Sequence, residues 1–364
     1  MPAEERTTLL RPPEPDASKA PIENVLEVTE LGVLGPDIFT NARPQWHPPG
    51  ARGIYGGAVI AQCLASAQKT VPADFLPHSC HCYFLLAGSA TTPILFHVER
   101  VRDGRSFATR TVQARQRGRC IFTTTISFAK AEGDDAGEET KKKKRMVSHA
   151  APMPEGVMAS KPGDDWVEDE ERLDEDAAST KGPFQSAGLE VVRGDDATAK
   201  PEDRRCRTWM RARGRISPEG GHQAHLNALA YMSDSYFIGT VSRIHGLWRF
   251  PVRPSDVAHL PPGPRDMIRR QLELEGQSAD PAAWEGRPHV GMLVSLDHSI
   301  YFHEPRRVRA DEWMFTEMES PWAGEERGVV TQRIFAADGT LLASCFQEGV
   351  VRLKQDGSEK GAKL

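Results

Sequence analysis

The sequence has no apolar run of the roughly eighteen residues that a membrane-spanning helix requires. Its N-terminus, MPAEERTTLLRPPEPDASKAP, is polar and rich in proline, and it lacks the apolar segment of a secretory signal. We therefore expect no membrane span. We interpret residues 1–24 as a disordered leader.

A strong excess of charge of either sign is also missing. The chain has 46 Lys and Arg residues against 51 Asp and Glu residues, and the resulting net charge of −5 argues against a general nucleic-acid binder. A hydrophobic fraction of 39% with 27% charged residues is typical of a globular protein. The 364 residues allow two domains of ordinary size.

The six cysteines do not form a disulfide framework. They lie inside apolar or strand-like segments, as expected of reduced thiols in a cell interior. HSCHC (residues 78–82) has the composition of a metal site, but the surrounding LPHSCHCYFLLAG favours a strand. Alternation then places Cys80 and Cys82 on one face and His81 on the other. We expect no metal site and no cofactor.

Residues 132–182 lack the apolar anchors of the rest of the chain. This segment contains the charge blocks GDDAGEETKKKKRM and PGDDWVEDEERLDEDAAST, which cannot offset the entropy lost on ordering. KKKKR (residues 141–145) resembles a nuclear signal or a nucleic-acid contact, but the flanking acidic residues favour a solvated stretch. We therefore predict a charged flexible linker.

The segments on either side of the linker share one order of elements. The first predicts a helix at 55–71 and strands at 78–86, 93–101, 105–117 and 119–130, with a turn at Arg117-Gly118. The second predicts a helix at 220–238 and strands near 290–303, 312–320, 327–336 and 340–352, with a hairpin turn at Asp338-Gly339. Each half is thus predicted to be an α+β unit in which a curved antiparallel sheet wraps one long helix.

One carboxylate interrupts the apolar face of the second predicted helix. In LAYMSDSYFI (residues 229–238), Asp234 lies on or beside the face formed by small and apolar side chains. Burying an unpaired carboxylate costs several kcal/mol in practice. Asp234 is therefore solvated at an edge, held by partners, or required by chemistry.

Several separated motifs resemble one family in the order in which they occur. RGIYGGAVIAQCLASA, LPHSCHCYFLLAG, VERVRDGRSFATRTVQA, LAYMSDSYF, SLDHSIYFH and LLASCFQEGVVR are similar to segments of the type II acyl-CoA thioesterases, in which one chain holds two hotdog domains side by side. The resemblance implies an N-terminal hotdog domain at 25–131, a C-terminal one at 183–354 and a tail at 355–364. The two domains would form a pseudo-dimer.

The resemblance also implies three catalytic residues. In the family, thioester hydrolysis is attributed to an Asp on the second helix, a Thr or Ser on the next strand and a Gln near the end of the chain. These correspond to Asp234, to Ser295 in LVSLDHS and to Gln347 in CFQEG. The hydroxyl is retained at Ser295, although some members of the family have Thr there.

The residues themselves are compatible with this assignment. Gln347 continues an alternating row of apolar side chains in its strand, and Ser295 shares a face with Leu293. A carboxylate, a hydroxyl and an amide could together hold one water, with Asp234 as general base. The chain has no GxSxG nucleophile elbow. Taken one by one, each residue also has a purely structural explanation, as a helix carboxylate, a strand hydroxyl and a loop-binding amide.

The first half lacks these groups. Its helix has no Asp or Glu, and aligning the hairpins at Gly118 and Gly339 places Ile126 opposite Gln347. We therefore expect the first half to be catalytically empty and to complete the pseudo-dimer. Gly56 and Gly57 would allow backbone amides at a helix N-terminus to approach a ligand, or they would simply start the helix.

The sequence ends in Ala362-Lys363-Leu364, which is close to the Ser-Lys-Leu peroxisomal signal. With the family resemblance, it predicts a peroxisomal acyl-CoA thioesterase that binds an import receptor, with a homo-oligomer left open. Two alternatives remain at this point. One is a hotdog enoyl-CoA hydratase that uses an Asp and His pair, because His298 follows Asp297, and the other is a non-catalytic acyl-CoA binding protein.

Overall fold

The computed structural model describes residues 12–46, 53–131, 147–166, 182–192, 199–275 and 277–355. In these residues a 13-stranded antiparallel sheet surrounds two long helices. The helices are α1 (Pro21–Leu26), α2 (Gly56–Gln68), α3 (Gly221–Met232), α4 (Gly239–Ile244) and α5 (Pro262–Leu274). The strands of the first half are β1 (Val28–Glu30), β2 (Ile38–Asn41), β3 (Phe75–Phe84), β4 (Leu95–Asp103), β5 (Phe107–Gln116) and β6 (Arg119–Lys130). Those of the second half are β7 (Phe184–Val192), β8 (Arg205–Ala212), β9 (Val290–Ser295), β10 (Asp297–Phe302), β11 (Met314–Gly324), β12 (Arg327–Ala336) and β13 (Leu341–Leu353).

The sheet has two halves with mirrored strand order. Along it the strands run β1-β2-β4-β5-β6-β3 and then β10-β13-β12-β11-β8-β7, while β9 pairs with the far end of β13. The halves join where β3 and β10 run antiparallel, with Cys80 opposite Ile300 and His81 opposite Ser299. On each side of this join, six strands in line and the helix that they enclose, α2 or α3, form one half of the predicted pseudo-dimer, and β9 is an additional strand of the second half.

The alternation of buried and exposed side chains explains why these segments form strands. In β5 and β6 nearly every second residue is buried, as expected for strands with one face against a core. The hairpin between them turns at Arg117 and Gly118, whose φ angles are 50° and 77°, as a two-residue turn of this kind requires. Gly339 has a φ of 88° at the corresponding turn in the second half. Both predicted turns are confirmed.

The HSCHC segment lies in β3 and follows the same alternation. Cys80 and Cys82 are buried with their Sγ atoms 3.8 Å apart, whereas His81 is on the outer face and its Nδ1 contacts Ser299 Oγ at 3.0 Å. All six cysteines are free thiols. Within the described ranges, no cluster of three or more His, Cys, Asp or Glu side chains has a geometry that would hold a metal ion.

The second long helix ends before Asp234, although the sequence predicted that it continues to residue 238. Helix α3 ends at Met232, a turn follows, and α4 begins at Gly239. Tyr236 in this turn has a φ of 58°, which is left-handed backbone. The physical reason is the Ser-Asp-Ser sequence at 233–235, because short polar side chains compete for helical hydrogen bonds. The Ser233 hydroxyl donates to the Ala230 carbonyl at 2.9 Å.

The last part of the predicted disordered leader is ordered, so that prediction is wrong for it. Ala20 and Ile22 are buried in the main core, and α1 begins at Pro21. The Glu23 carboxylate accepts hydrogen bonds from the N–H and the O–H of Ser217 in the second half, at 2.9 and 2.6 Å. Burial and this contact between halves offset the entropy of ordering a short segment.

Part of the predicted flexible linker also packs. Residues 147–166 lie against the outer face of the second half, where Val157 is buried with Trp209, Trp313, Phe315 and Phe335. Trp166 makes an edge contact with Trp313 at 5.3 Å between ring centroids. The prediction is wrong here because large outward-facing side chains on β8, β11 and β12 need an apolar cover. The charge blocks of the segment lie outside the described residues, apart from its acidic stretch at Asp164 and Asp165.

Residues 245–275 and 277–289 form an additional unit for which the sequence suggested no element. Helix α5 packs in it around a small core that includes Trp248, Leu272 and Trp284. The buried carboxylate of Glu275 connects this unit to α4, because it forms an ion pair with Arg243 of α4 at 3.0 Å. It also forms an ion pair within the unit, with Arg249 at 2.5 Å. None of the helices in the described ranges has the length and apolar character needed to cross a membrane.

Candidate active site

Asp234 lies in the turn after α3, where the two halves meet. Its side chain is only 10% exposed. One carboxylate oxygen, Oδ1, accepts a hydrogen bond from Gln347 Nε2 at 2.8 Å, and the backbone N–H of Gly57 also donates to the carboxylate. A charge that the sequence left unexplained is therefore buried with partners from both halves of the chain.

Gln347 lies on β13 and is buried. Its Nε2 also lies 3.1 Å from Nδ1 of His298, and Nε2 of His298 lies 3.0 Å from the hydroxyl of Ser233. His298 is fully buried on β10, and its ring makes an edge contact with Phe237. These contacts form one continuous network from Asp234 through Gln347 and His298 to Ser233.

Burial controls the ionisation of this network. It raises the pKa of Asp234 to about 6, although the hydrogen bonds from Gln347 and from Gly57 oppose the rise. It lowers the pKa of His298 to about 3, so this imidazole is neutral near pH 7. A carboxylate with a pKa of about 6 is ionised at neutral pH and still basic enough to accept a proton.

The first half contributes its helix N-terminus to the site. Gly56 and Gly57 begin α2, and a Cβ atom added at Gly56 would lie 2.6 Å from Asp234 Oδ2. A Cβ atom at Gly57 would overlap the carbonyl oxygen of Tyr231. The Tyr55 hydroxyl donates to the same carbonyl at 3.0 Å. Both glycines are therefore required for the close approach of α2 to α3.

Ser295 ends β9 and lies directly opposite Gly349 of β13. Directly paired residues of an antiparallel sheet project to the same face, and Gly349 shares its face with Gln347, two positions earlier in the strand. Ser295 is therefore on the face of the sheet that carries Gln347. Among the described residues, the hydrogen bonds that link Asp234, Gln347 and His298 do not include Ser295.

Asp297 is separated from the neighbouring His298 because adjacent strand residues point to opposite faces. Its carboxylate accepts the backbone N–H of Glu348 at 2.6 Å and so braces the junction of β9 and β10. The carboxylate that approaches His298 is instead Asp234, with Oδ1 and Nδ1 3.8 Å apart. The Asp and His pair suggested by sequence adjacency is therefore not the pair in the structure.

The corresponding position in the first half is apolar. Ile126 on β6 is fully buried opposite Cys80, and the neighbouring Thr124 hydroxyl lies 3.2 Å from Cys80 Sγ. Helix α2 has no carboxylate, as its sequence shows.

Sequence reasoning missed the roles of Ser233 and of the Gly57 N–H, and it paired His298 with the wrong carboxylate. A usable signal was present in SLDHSIYFH, because alternation places His298 on the core side of its strand. A polar residue on that side requires a partner. Nothing in the local sequence indicates that α2 of the first half reaches Asp234.

The paired half-sheets, each wrapped on a long helix, with a carboxylate site at their junction, define a double-hotdog protein. A solved hot dog fold protein from Alicyclobacillus acidocaldarius has this fold, with a TM-score of 0.56 over 92% of this chain and 98% of its own, at 14% identity. An acyl-CoA thioesterase II from Mycobacterium marinum is 28% identical, with a TM-score of 0.59 over 93% of this chain and 99% of its own.

The sequence matches two family descriptions in succession: the acyl-CoA thioesterase N-terminal domain over residues 43–129 and the acyl-CoA thioesterase C-terminal domain over residues 149–351. The chain belongs to the acyl-CoA thioesterase family. Acyl-coenzyme A thioesterase 8 of Mus musculus is 32% identical over 352 residues, which cover 92% of this chain and 91% of the relative. The peroxisomal acyl-coenzyme A thioester hydrolase 1 of Saccharomyces cerevisiae is 26% identical and covers 92% of this chain and 96% of the relative.

Proposed function

We propose that this protein hydrolyses acyl-CoA thioesters to a free fatty acid and CoA, with Asp234 as the general base. The observation that carries the proposal is the buried Asp234 carboxylate, which Gln347 and the Gly57 N–H hold at the junction of the two halves. Its raised pKa suits a group that must be ionised at rest and accept a proton during the reaction.

In the proposed reaction, a water molecule attacks the thioester carbonyl carbon. Asp234 takes one proton from this water as the C–O bond forms, and the tetrahedral intermediate then breaks its C–S bond. The proton held on Asp234 passes to the departing CoA sulfur, so the carboxylate is restored. Water is the only co-reactant, and no nucleophilic side chain or covalent intermediate is required.

Gln347 and Ser295 are proposed to hold this water beside the carboxylate. Gln347 is in direct contact with Asp234. Ser295 lies on the same face of the sheet, opposite Gly349, which is two residues after Gln347 in β13. Fixing a reactant in the orientation of attack can supply several kcal/mol of the barrier reduction. Ser295→Thr should therefore be tolerated because the hydroxyl remains, whereas Gln347→Ala should lower kcat.

A hydratase is less compatible with the site. A catalytic His would have to present a ring nitrogen to the substrate, but both nitrogens of His298 are within hydrogen-bonding distance of protein atoms, and the ring is fully buried. A non-catalytic binding protein would require no base with a pKa near neutrality. The geometry thus favours hydrolysis over both alternatives.

The deciding experiment measures thiol release from a long-chain acyl-CoA by the wild-type protein and by Asp234→Asn. The Asn variant keeps the shape of the side chain and loses its basicity, so kcat should fall roughly 100-fold or more. A hydratase would change only the absorbance of an enoyl-CoA, and a binding protein would release no thiol. Near-normal turnover by a well-folded Asn variant would exclude Asp234 as the base.

We also propose that the enzyme acts in the peroxisomal matrix. The name of the yeast relative supports this location. The predicted targeting tripeptide, Ala362-Lys363-Leu364, lies outside the described residues and stays a prediction. Deleting Leu364 should leave a reporter-tagged protein in the cytosol while the purified enzyme keeps its activity. Continued import would mean that this tripeptide is not the signal.

A further inference from the structure

His298 lies at the centre of the hydrogen-bonded network, but the proposed reaction gives it no role. It is fully buried on β10 and has a polar partner at each ring nitrogen: Gln347 Nε2 at Nδ1 and Ser233 Oγ at Nε2. A buried imidazole with two polar contacts loses its hydration and must satisfy both nitrogens within the protein. The arrangement therefore imposes one pattern of donors and acceptors.

The pattern follows from the charge on Asp234. An ionised carboxylate only accepts hydrogen bonds, so the Gln347 atom 2.8 Å from Oδ1 must be the N–H donor of the amide. The second N–H of that NH2 group then points to His298 Nδ1, 3.1 Å away, which must accept. The neutral ring therefore carries its hydrogen on Nε2 and donates it to Ser233 Oγ, while the Ser233 hydroxyl donates onward to the Ala230 carbonyl.

One atom of the network remains without a partner. Gln347 Oε1 is buried and has no hydrogen-bond donor among the described residues. An orphaned buried acceptor beside a catalytic carboxylate is costly unless a ligand or water satisfies it. The opposite amide orientation would bring Oε1 against both the charged Oδ1 of Asp234 and Nδ1 of His298, and it would present the NH2 group to the site.

We propose that His298 is a positioning residue that holds the Gln347 amide with its oxygen toward the attacking water. This inference rests on the proposed hydrolysis and specifies how the water is held. One hydrogen of the water bonds to Asp234 and the other to Gln347 Oε1, so an oxygen lone pair is directed at the thioester carbonyl. Gln347 thereby acts as an acceptor for the water, and Ser233 fixes the tautomer of the ring that sets this orientation.

Two variants of His298, each with an amide side chain, distinguish the contact at Nδ1 from the contact at Nε2. In His298→Asn, the side-chain amide reaches the position of Nδ1, so it can still accept from Gln347. In His298→Gln, the amide reaches the position of Nε2, so it contacts Ser233 and leaves Gln347 without its acceptor. Both variants bury a neutral amide at the same site, and each therefore controls for the folding of the other.

The Asn variant should keep most of the wild-type kcat. The Gln variant should lose roughly tenfold or more, as expected when the attacking water is no longer held in one orientation, with KM nearly unchanged. Thermal melts should show both variants folded. Equal kcat for the two folded variants would overturn the positioning role.

A double-mutant cycle with Gln347→Ala provides the second readout. If His298 acts through Gln347, the effect of His298→Gln on kcat should vanish once Gln347 is already Ala. An undiminished effect in that background would show that His298 does not act through Gln347. Failure of the hydrolase proposal is distinguishable, because the wild-type protein itself would then release no CoA.

Discussion

Asp234 carries its charge in a place where burial opposes it. The side chain is 10% exposed, and among the described residues two hydrogen bonds, from Gln347 and the Gly57 N–H, offset the loss of solvation. These bonds are insufficient to restore an ordinary pKa. At the scale of single residues, burial of Asp234 therefore costs stability, and in the proposed mechanism it supplies a base that works near neutral pH.

The first prediction concerns the pH dependence of activity. In the proposed mechanism the active form of Asp234 is the carboxylate, so kcat/KM should be level above its pKa of about 6 and should fall about tenfold for each pH unit below it. His298 does not titrate in this range because its pKa is about 3. Rates with one neutral acyl chain between about pH 5 and pH 8 test this, and a flat profile would contradict the assignment.

The second prediction concerns stability. The folded-state pKa of Asp234 is raised from 3.8 to about 6, so the folded protein binds the proton more tightly than the unfolded chain does. Stability is therefore lost as pH rises from about 4 to about 6, by roughly 3 kcal/mol at most. Asp234→Asn should raise the melting temperature near pH 7.5 by a few degrees and change it little near pH 4. Equal melting temperatures of the two proteins at both pH values would contradict the raised pKa of Asp234 in the folded protein.

At the scale of elements, the N-terminus of α2 sets the position of the Asp234 carboxylate. Gly56 lies so close to Asp234 Oδ2 and to the ring of Phe84 that a methyl group there has no space. The positive end of the α2 dipole also faces the carboxylate and favours its ionised form. An element of the first half thus shapes the surroundings of Asp234 in the second half.

Gly56→Ala should lower kcat by roughly tenfold or more, because the added methyl displaces Asp234 and small misplacements are costly in catalysis. Gly263→Ala is the matched control. Gly263 is also in the first turn of a helix, α5, but a Cβ atom there meets nothing within 4 Å. The control should retain full activity, and an equally active Gly56→Ala variant would refute the close approach.

Residues 147–166 act as an apolar cover for the outer face of the second half. Val157→Ser should lower stability by about 2 kcal/mol, because it removes a buried apolar group and buries a hydroxyl. Val147→Ser, in the same segment, changes a side chain that is 94% exposed and should have almost no effect. Denaturant titrations of both variants measure this difference, and equal midpoints would mean that the segment does not pack.

Strands were easier to predict than helix ends or covering segments. Period-two alternation located β4, β5, β6 and β12 to within about two residues of their bounds, because one face of each packs on the core. The end of α3 depends on local competition by Ser233 and on tertiary contacts of Asp234, which periodicity does not contain. The docking of 147–166 depends on aromatic residues more than 40 positions away in the sequence.

At the scale of the whole molecule, both halves contribute groups that contact Asp234. The sequence motifs placed Asp234 and Gln347 in one site, and the structure joins them by a 2.8 Å hydrogen bond. Motifs within one half could not indicate the Gly57 N–H, because its partner lies 177 positions further along the chain. The position of the first half that corresponds to Gln347 carries Ile126, which is buried and has no polar group.

Separating the halves should therefore abolish activity without removing any of the proposed catalytic side chains. A fragment of residues 147–364 contains Asp234, Ser295 and Gln347 but loses the Gly57 N–H and the pairing of β3 with β10. It should release no thiol from acyl-CoA, and residues 1–131 should release none either. Co-expression should allow β3 and β10 to pair again, so the fragments should copurify and regain part of the wild-type kcat. The same co-expression with Asp234→Asn in the second fragment controls for contaminating thioesterases. Turnover by residues 147–364 alone would show that the first half is dispensable for the chemistry.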